Sequence, residues 1–334
     1  MERTPAAADP NLTPAAGDER SAGRTRVLSA DFLFHHVALA MAILVGAALI
    51  AVVIAIAVDS WPAIKAFGVI GFLTGRTWDP VSEQFGAFPF IVGTLVSSAI
   101  AMVLAVPLSF GIAVFISELA PSWMRQPVSS AIEMLASVPS IVYGLWGLLV
   151  FAPAFANVEP WINDHLGAIP GIGVLFQGPP MGIGMLAAGI VLAIMILPYI
   201  TAIMRDVFVA TPTRLKESAY AMGATTWEVA RKILLPYTRT AVTGGIFLGL
   251  GRALGETMAV TFVIGNSDNL SASLLMPGAS IPSVIANEFT EATTKLYVSS
   301  LIYLGLVLIG ITLIVQALAV LLLGTVGRGA RAPS

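Results

Sequence analysis

The chain has 334 residues, 57% of them hydrophobic and only 11% charged, with a formal net charge of -2. Soluble domains carry about 25% charged residues, so the composition argues against a water-soluble protein. It contains no Cys, which excludes disulfide frameworks, thiolate metal sites and cysteine nucleophiles, and its three His (His35, His36, His165) form no HExxH zinc motif.

Residues 1–31 are rich in Ala, Pro and charge and have no apolar period, which predicts a disordered tail. The apolar run that follows starts too late and is too long for a signal peptide, and fits a retained anchor. A bilayer core requires about 20 apolar residues per helix. Six segments meet that requirement, at 37–58, 88–116, 131–156, 183–204, 241–264 and 298–323, with Pro107 and Pro139 inside the second and third. The tail, the second-to-third connection, the fourth-to-fifth connection and the C-terminus together hold thirteen of the basic residues. The remaining connections hold Lys65, Arg76 and Lys295, and Arg252 falls inside a span. The positive-inside rule then predicts cytoplasmic N- and C-termini. On the outer side, 59–87, 157–181 and 265–297 are long enough for short interfacial helices or a docking surface, with Trp61, Trp78 and several carboxylates among their residues.

The segment 211–236, TPTRLKESAYAMGATTWEVARKILLP, is too polar to span a membrane. Thr211 is placed to cap a helix with Pro212 at its first position. Leu215, Ala219 and Met222 recur at helical spacing and predict one small apolar face. Gly223 is suited to end the helix in the left-handed region, Thr225 and Glu228 fit a capping box, and Pro236 is expected to close the second helix. Glu217-Ser218-Ala219, Gly223 and Ile233-Leu234-Leu235-Pro236 resemble the EAA loop of ABC-importer permeases, with Ser218 in place of the first Ala. That resemblance implies a coupling helix, with Glu217, Ser218, Ala219 and Gly223 as coupling residues that dock on a separate ATPase. A DNA-binding helix-turn-helix fits poorly, because both ends are tethered to the bilayer. None of the four lysines follows a Gly, so the chain has no Walker A loop and no ATPase site of its own.

The fifth segment reads GGIFLGLGRALGETMAVTFVIG. On a continuous helix Arg252 and Glu256 would share one face, about 40° apart. An intramembrane Arg costs roughly 2.5–3.5 kcal/mol on insertion scales. Two readings stand: Arg252 offers donors to a passing oxyanion with Glu256 restraining it, or the two form a structural ion pair. Gly245 with Gly249, and Gly251 with Gly255, read as close helix packing.

The run Leu250–Val260 (LGRALGETMAV) closely resembles the PstC-type permease of phosphate-specific ABC importers. So do the FGAFPFIVGTL run from Phe85, the SELAP turn from Ser117 and the SVPSIVYG run from Ser137. The resemblance covers nearly everything from about Phe32 to the last span. It implies an all-α, six-transmembrane-helix type I ABC importer permease domain over 32–327, followed by a short cytoplasmic tail at 328–334, in a bacterial plasma membrane. It further implies a PstA-type partner permease, two copies of a cytoplasmic ATPase that binds ATP and Mg, an extracytoplasmic phosphate-binding protein, and inorganic phosphate as substrate. No cofactor or metal on this chain and no nucleic acid are expected. Arg252 and Glu256 are the expected substrate-pathway residues. Sequence physics alone leaves another oxyanion, such as sulfate or molybdate, or an ion-coupled phosphate carrier, as alternatives.

Overall fold

The computed structural model describes residues 18–328, with side chains from 32 to 321. The expected C-terminal tail lies almost wholly outside that range. The expected N-terminal tail lies outside the described side chains, and the backbone is helical from Asp18. The chain falls into two units, Met1–Ala55 and Ile56–Ser334. The first unit is occupied by the long helix Asp18–Asp59 up to its last turn.

Five helices are long and apolar enough to cross a membrane: Phe32–Asp59, Phe88–Leu119, Met185–Val209, Thr226–Leu254 and Lys295–Leu321. A sixth crossing exists if the pair Ser122–Ala136 and Ser140–Ala156, bent by 88°, counts as one span. Five of the six expected segments thus have a spanning helix, the third corresponds to the bent pair, and two differ in kind. The third is not straight. Pro139 has no N–H to give, its ψ is 138°, and the residue before a proline is pushed out of the helical region, so the chain turns at Ser137–Pro139. The fifth starts well before the expected 241. Pro236 does not end the second helix of the 211–236 segment. A π turn at Ala230–Leu234 carries the chain into Leu235–Leu254 with Pro236 in its first turn, where a missing N–H does no harm.

The core of the second unit lies between Phe88–Leu119 and Met185–Val209. Ala101, Ala105 and Ala113 present small faces to a buried set that includes Leu192, Met195, Ile196 and Ile200. A Cβ on Gly189 would sit 2.5 Å from Ile100 Cγ2, so the two helices approach at van der Waals contact there. The Ser109 hydroxyl bridges them by donating to the Leu197 carbonyl at 3.0 Å.

Short helices occupy the expected connections: Trp61–Phe67 and Val69–Thr74 in the first, Glu159–Leu166 and a 3-10 turn at Gly173–Phe176 in the second, and Ile281–Glu288 in the third. The first connection also carries an antiparallel two-residue ladder pairing Trp78 with Phe85 and Asp79 with Gln84. An aromatic cluster of Phe72, Trp78, Phe85, Phe90, Tyr297 and Tyr303 is buried among the first and third connections and the spans beside them. Glu288 Oε2 accepts from Trp78 Nε1 at 2.8 Å and from the Tyr297 hydroxyl at 2.7 Å, so one carboxylate locks the cluster. The loop after Val263 folds back on the bundle. Gly265 and Gly278 form a parallel bridge, and Leu186 N–H donates to the Leu274 carbonyl at 2.8 Å. The same loop is pinned to the start of Phe88–Leu119, where Ile281 N–H donates to Thr94 Oγ1 at 2.9 Å and any Cβ on Gly93 would strike the Ala279 carbonyl.

Gly93→Ala is therefore expected to destabilise the protein by about 1–3 kcal/mol, because backbone rather than a side-chain tip must give way. Gly310→Ala, which meets nothing within 4 Å, is expected to leave stability unchanged or higher. Thermal unfolding in detergent compares the two. A second expectation concerns Asp268, whose carboxyl is raised from its ordinary 3.8 to about 6 by burial and then by the nearby Glu288 charge. A raised carboxyl favours folding fully below its unfolded value, and that contribution is lost as pH rises through about 6. Asp268→Asn should thus raise the unfolding temperature at about pH 8 and leave it unchanged at about pH 3, with a modest effect of at most about 1 kcal/mol because the group is partly solvated.

Candidate functional site

Two places combine charge with unusual backbone. The first is the end of the fifth span. The helix Leu235–Leu254 stops at Gly255, and a new helical turn runs Met258–Val263. Arg252 therefore sits in the last turn of one segment, where exposed carbonyls favour a cation. Glu256 lies beyond the break, and its Oε1 accepts the Ala259 N–H at 3.2 Å at the start of the next segment. The expected common face 40° apart is thus corrected, because the helix that would create it is interrupted between the two residues. Among the described residues no ion pair joins Arg252 or Glu256 to any partner, so the structural ion-pair reading is not the arrangement found.

Arg252 instead places its guanidinium carbon 5.4 Å from the ring centre of Tyr199, on Met185–Val209. Such a cation–π contact holds the plane of the group without consuming its N–H donors. Tyr199 was not singled out from the sequence. Its only local signal is an aromatic hydroxyl beside Pro198 in an apolar span.

The surrounding glycines explain how the break is held. A Cβ on Gly144 would lie 2.7 Å from Phe262 Cδ2 and one on Gly147 2.9 Å from Val263 Cγ1, so Met258–Val263 packs closely on the bent pair. A Cβ on Gly245 or Gly249 would lie 2.7 Å from Ile203 or 2.8 Å from Ile200, as packing glycines should. Gly251 accommodates Gln316, whose Nε2 donates to the Phe247 carbonyl at 3.1 Å. Gly255 has nothing nearer than 3.8 Å and serves the break itself.

The second place is the 211–236 segment. Its first helix is Thr213–Ala221, with Pro212 in the cap position. Thr211 does not cap it. Its hydroxyl turns back to the Val207 carbonyl at 3.3 Å. Gly223 does adopt the left-handed region at φ 85°. Gly223 N–H bonds the Tyr220 carbonyl at 2.9 Å and Ala224 N–H the Ala219 carbonyl at 3.1 Å, a Schellman closure in which Ala224 packs back on the buried Ala219. The capping box is present in full: Thr225 Oγ1 accepts Glu228 N–H, and Glu228 Oε2 accepts Thr225 N–H.

Only Ala219 of the expected apolar face is buried. Leu215 is exposed and Met222 is 82% exposed, with Trp227 also open. Glu217 and Ser218 are exposed too, and the Ser218 hydroxyl is occupied locally by the Arg214 carbonyl at 2.9 Å. The helix is therefore anchored by one small residue and turns its larger apolar side chains outward. The site residues form two groups, Arg252 with Glu256 and the Glu217–Gly223 set, carried on separate elements.

An apolar bundle with a broken span and an outward-facing amphipathic loop helix is the architecture of a type I ABC importer permease. The fold is shared with a chain of a bacterial ABC transporter that imports the acidic polysaccharide alginate, at a TM-score of 0.56 and 16% identity, over 89% of this chain and 98% of that one. A bacterial alginate ABC transporter, solved in complex with an alginate pentasaccharide-bound periplasmic protein, gives a TM-score of 0.58 at 16% identity, over 88% of this chain and 94% of that one. The family described as the inner membrane component of binding-protein-dependent transport systems matches residues 105–327. The phosphate transport system permease protein PstC of Mesorhizobium japonicum is 52% identical over 307 residues, 92% of this chain and 94% of that one. Its counterpart in Xylella fastidiosa is 51% identical over 317 residues, 95% of each. A probable PstC from Methanocaldococcus jannaschii is 38% identical over 269 residues. The chain belongs to the binding-protein-dependent transport permeases, in their PstC branch.

Gly223 gives a direct test of the loop geometry. Open space surrounds its Cβ position, so the cost of substitution is conformational. Gly223→Asn should be tolerated, because Asn enters the left-handed region readily, whereas β-branched Gly223→Val should cost about 1–2 kcal/mol locally. Amide exchange at Ala224 reads the difference, and fast exchange in the Val variant alone is the expected result.

Proposed function

We propose that this chain is the permease subunit through which an ATP-driven importer passes inorganic phosphate, working with a second, PstA-type permease. Two copies of a cytoplasmic ATPase bind ATP and Mg and do the hydrolysis, and an extracytoplasmic phosphate-binding protein delivers the substrate. The observation that carries the reading is Arg252: a half-buried guanidinium at a break in a membrane span, steadied by Tyr199 and with no carboxylate partner among the described residues. A guanidinium placed this way presents paired N–H donors that match two oxygens of a tetrahedral oxyanion. Glu256, across the break, repels the anion and favours its release. The names of the relatives support phosphate over sulfate or molybdate.

Both termini and the 211–236 segment face the cytoplasm in this reading, as the distribution of basic residues requires. The exposed Leu215, Met222 and Trp227, with Glu217 and Ser218, then form the face that docks on the ATPase. Alternating access follows if ATP binding moves this helix and the bundle with it, exposing Arg252 first to one side and then to the other.

Arg252→Gln removes the charge and keeps the bulk. It should lower uptake of labelled phosphate by about 100-fold or more, as the loss of a buried charge-assisted contact predicts, while the complex still co-purifies with its ATPase. Uptake at the native rate would sink the assignment of Arg252. Inhibition of native uptake by excess sulfate would point to the wrong oxyanion.

A further inference from the structure

We infer that Lys216 and Glu118 form a shielded strut that transmits motion of the Thr213–Ala221 helix into the two central spans; this rests on reading that helix as the ATPase-docking element. Lys216 Nζ donates to Glu118 Oε1 at 2.7 Å and to the Phe208 carbonyl at 3.0 Å. Glu118 stands in the π turn Phe115–Leu119 that ends the Phe88–Leu119 span, and Phe208 lies in the last turn of Met185–Val209. One ammonium group thereby ties three elements together: the loop helix and the same end of both core spans.

The tie differs from the other ion pairs at this end of the molecule. The Lys216 and Glu118 side chains are only 13% and 7% exposed. The Arg205 pairs engage Glu133 and Asp206, whose side chains are 58% and 66% exposed, and the Lys232–Glu228 pair is open on both sides. Exposed pairs are soft and contribute little, whereas a shielded pair with an added carbonyl acceptor holds a defined geometry and is costly to open on one side. The loop helix is otherwise held by the buried Ala219 and by its short link to Met185–Val209, where Thr211 N–H bonds the Phe208 carbonyl at 3.3 Å. Among the described residues Lys216 adds the side-chain tie from that helix to the Phe88–Leu119 span, so a push on the exposed face reaches both core spans together through it.

The path beyond the strut leads to the substrate site. Phe208 and Tyr199 stand on one helix, nine residues apart, about 14 Å at 1.5 Å per residue. Tyr199 is the ring that steadies the Arg252 guanidinium. A shift of the Met185–Val209 helix at Phe208 is thus delivered as a shift of Tyr199 against Arg252. Lys216 and Glu118 are positioning residues; neither touches the substrate.

The test uses the full complex in proteoliposomes, with phosphate uptake and ATP hydrolysis measured together. Lys216→Met and Glu118→Gln singly leave an unpaired buried group and serve only as comparisons. The informative variant is the double, Glu118→Gln with Lys216→Met, in which neither charge remains. It should assemble and hydrolyse ATP at native levels but move about tenfold less phosphate per ATP, in line with the coupling energies carried by such residues. Lys216→Arg, which keeps the charge and the donors, should restore the ratio. A native ratio in the double variant overturns the strut, and so does a double variant that fails to assemble, which would make the pair a folding element only. Glu217→Arg, on the exposed face of the same helix, tests the docking reading alone. If it changes neither hydrolysis nor uptake, the docking reading and the strut fall together. If it impairs them while the double variant transports normally, only the strut falls.

Discussion

Inside hydrocarbon a backbone amide that leaves its helix has no water to bond, and this constraint decides where the bundle is able to break. It breaks at two places, Ser137–Pro139 and Gly255–Thr257, and each is met by protein. Proline removes one donor outright at the first. At the second, Glu256 supplies an acceptor for the Ala259 N–H, and at the far end of the Met258–Val263 turn Gly184 N–H bonds the Val263 carbonyl while Gly278 N–H of the returning loop bonds the Ile264 carbonyl. The two broken segments then pack on each other through Gly144 and Gly147.

The electrostatics follow from the same interruption. On an unbroken helix Arg252 and Glu256 would lie one turn apart and neutralise each other. The break puts Arg252 at a carbonyl-rich end and Glu256 at an amide-rich start, so each charge is favoured by the helix end it sits on. The result is a half-buried cation that has no ion pair among the described residues. A chain that needed only stability would pair that arginine, or replace it with Leu.

The loop helix shows a comparable division of labour. Its C-terminal end is closed through Gly223 and Ala224, and Ala219 anchors it. Its large apolar side chains are left outward, where a partner would cover them. Lys216, alone among its charged residues, turns inward to the spans.

Local chemistry was readable from the sequence. The apolar runs, the left-handed Gly223 and the Thr225–Glu228 capping box all depend on residues within a few positions of one another; Gly223 and the box are found as expected, as are five spanning helices, with the third run in a bent pair. The breaks were readable in part. Ser137 and Pro139 carry an ordinary stop-and-start signal, and Gly255 with Thr257 a weaker one, but long apolar context favours reading straight through both. Pro236 misled in the opposite sense, because a π turn upstream absorbs it. What the tertiary structure alone decided is which distant groups meet: Arg252 with Tyr199, Glu118 with Lys216, and Glu288 with Trp78. Residues 53, 98 and 210 positions apart have no local energetic signature, since their contact depends on how helices pack once all of them exist. The sequence by itself determined a membrane-spanning chain with a capped loop helix, because hydropathy and capping are short-range, and its motifs supplied the resemblance to permeases. The meeting of Arg252 with Tyr199 and of Lys216 with Glu118 was decided by packing, which is not.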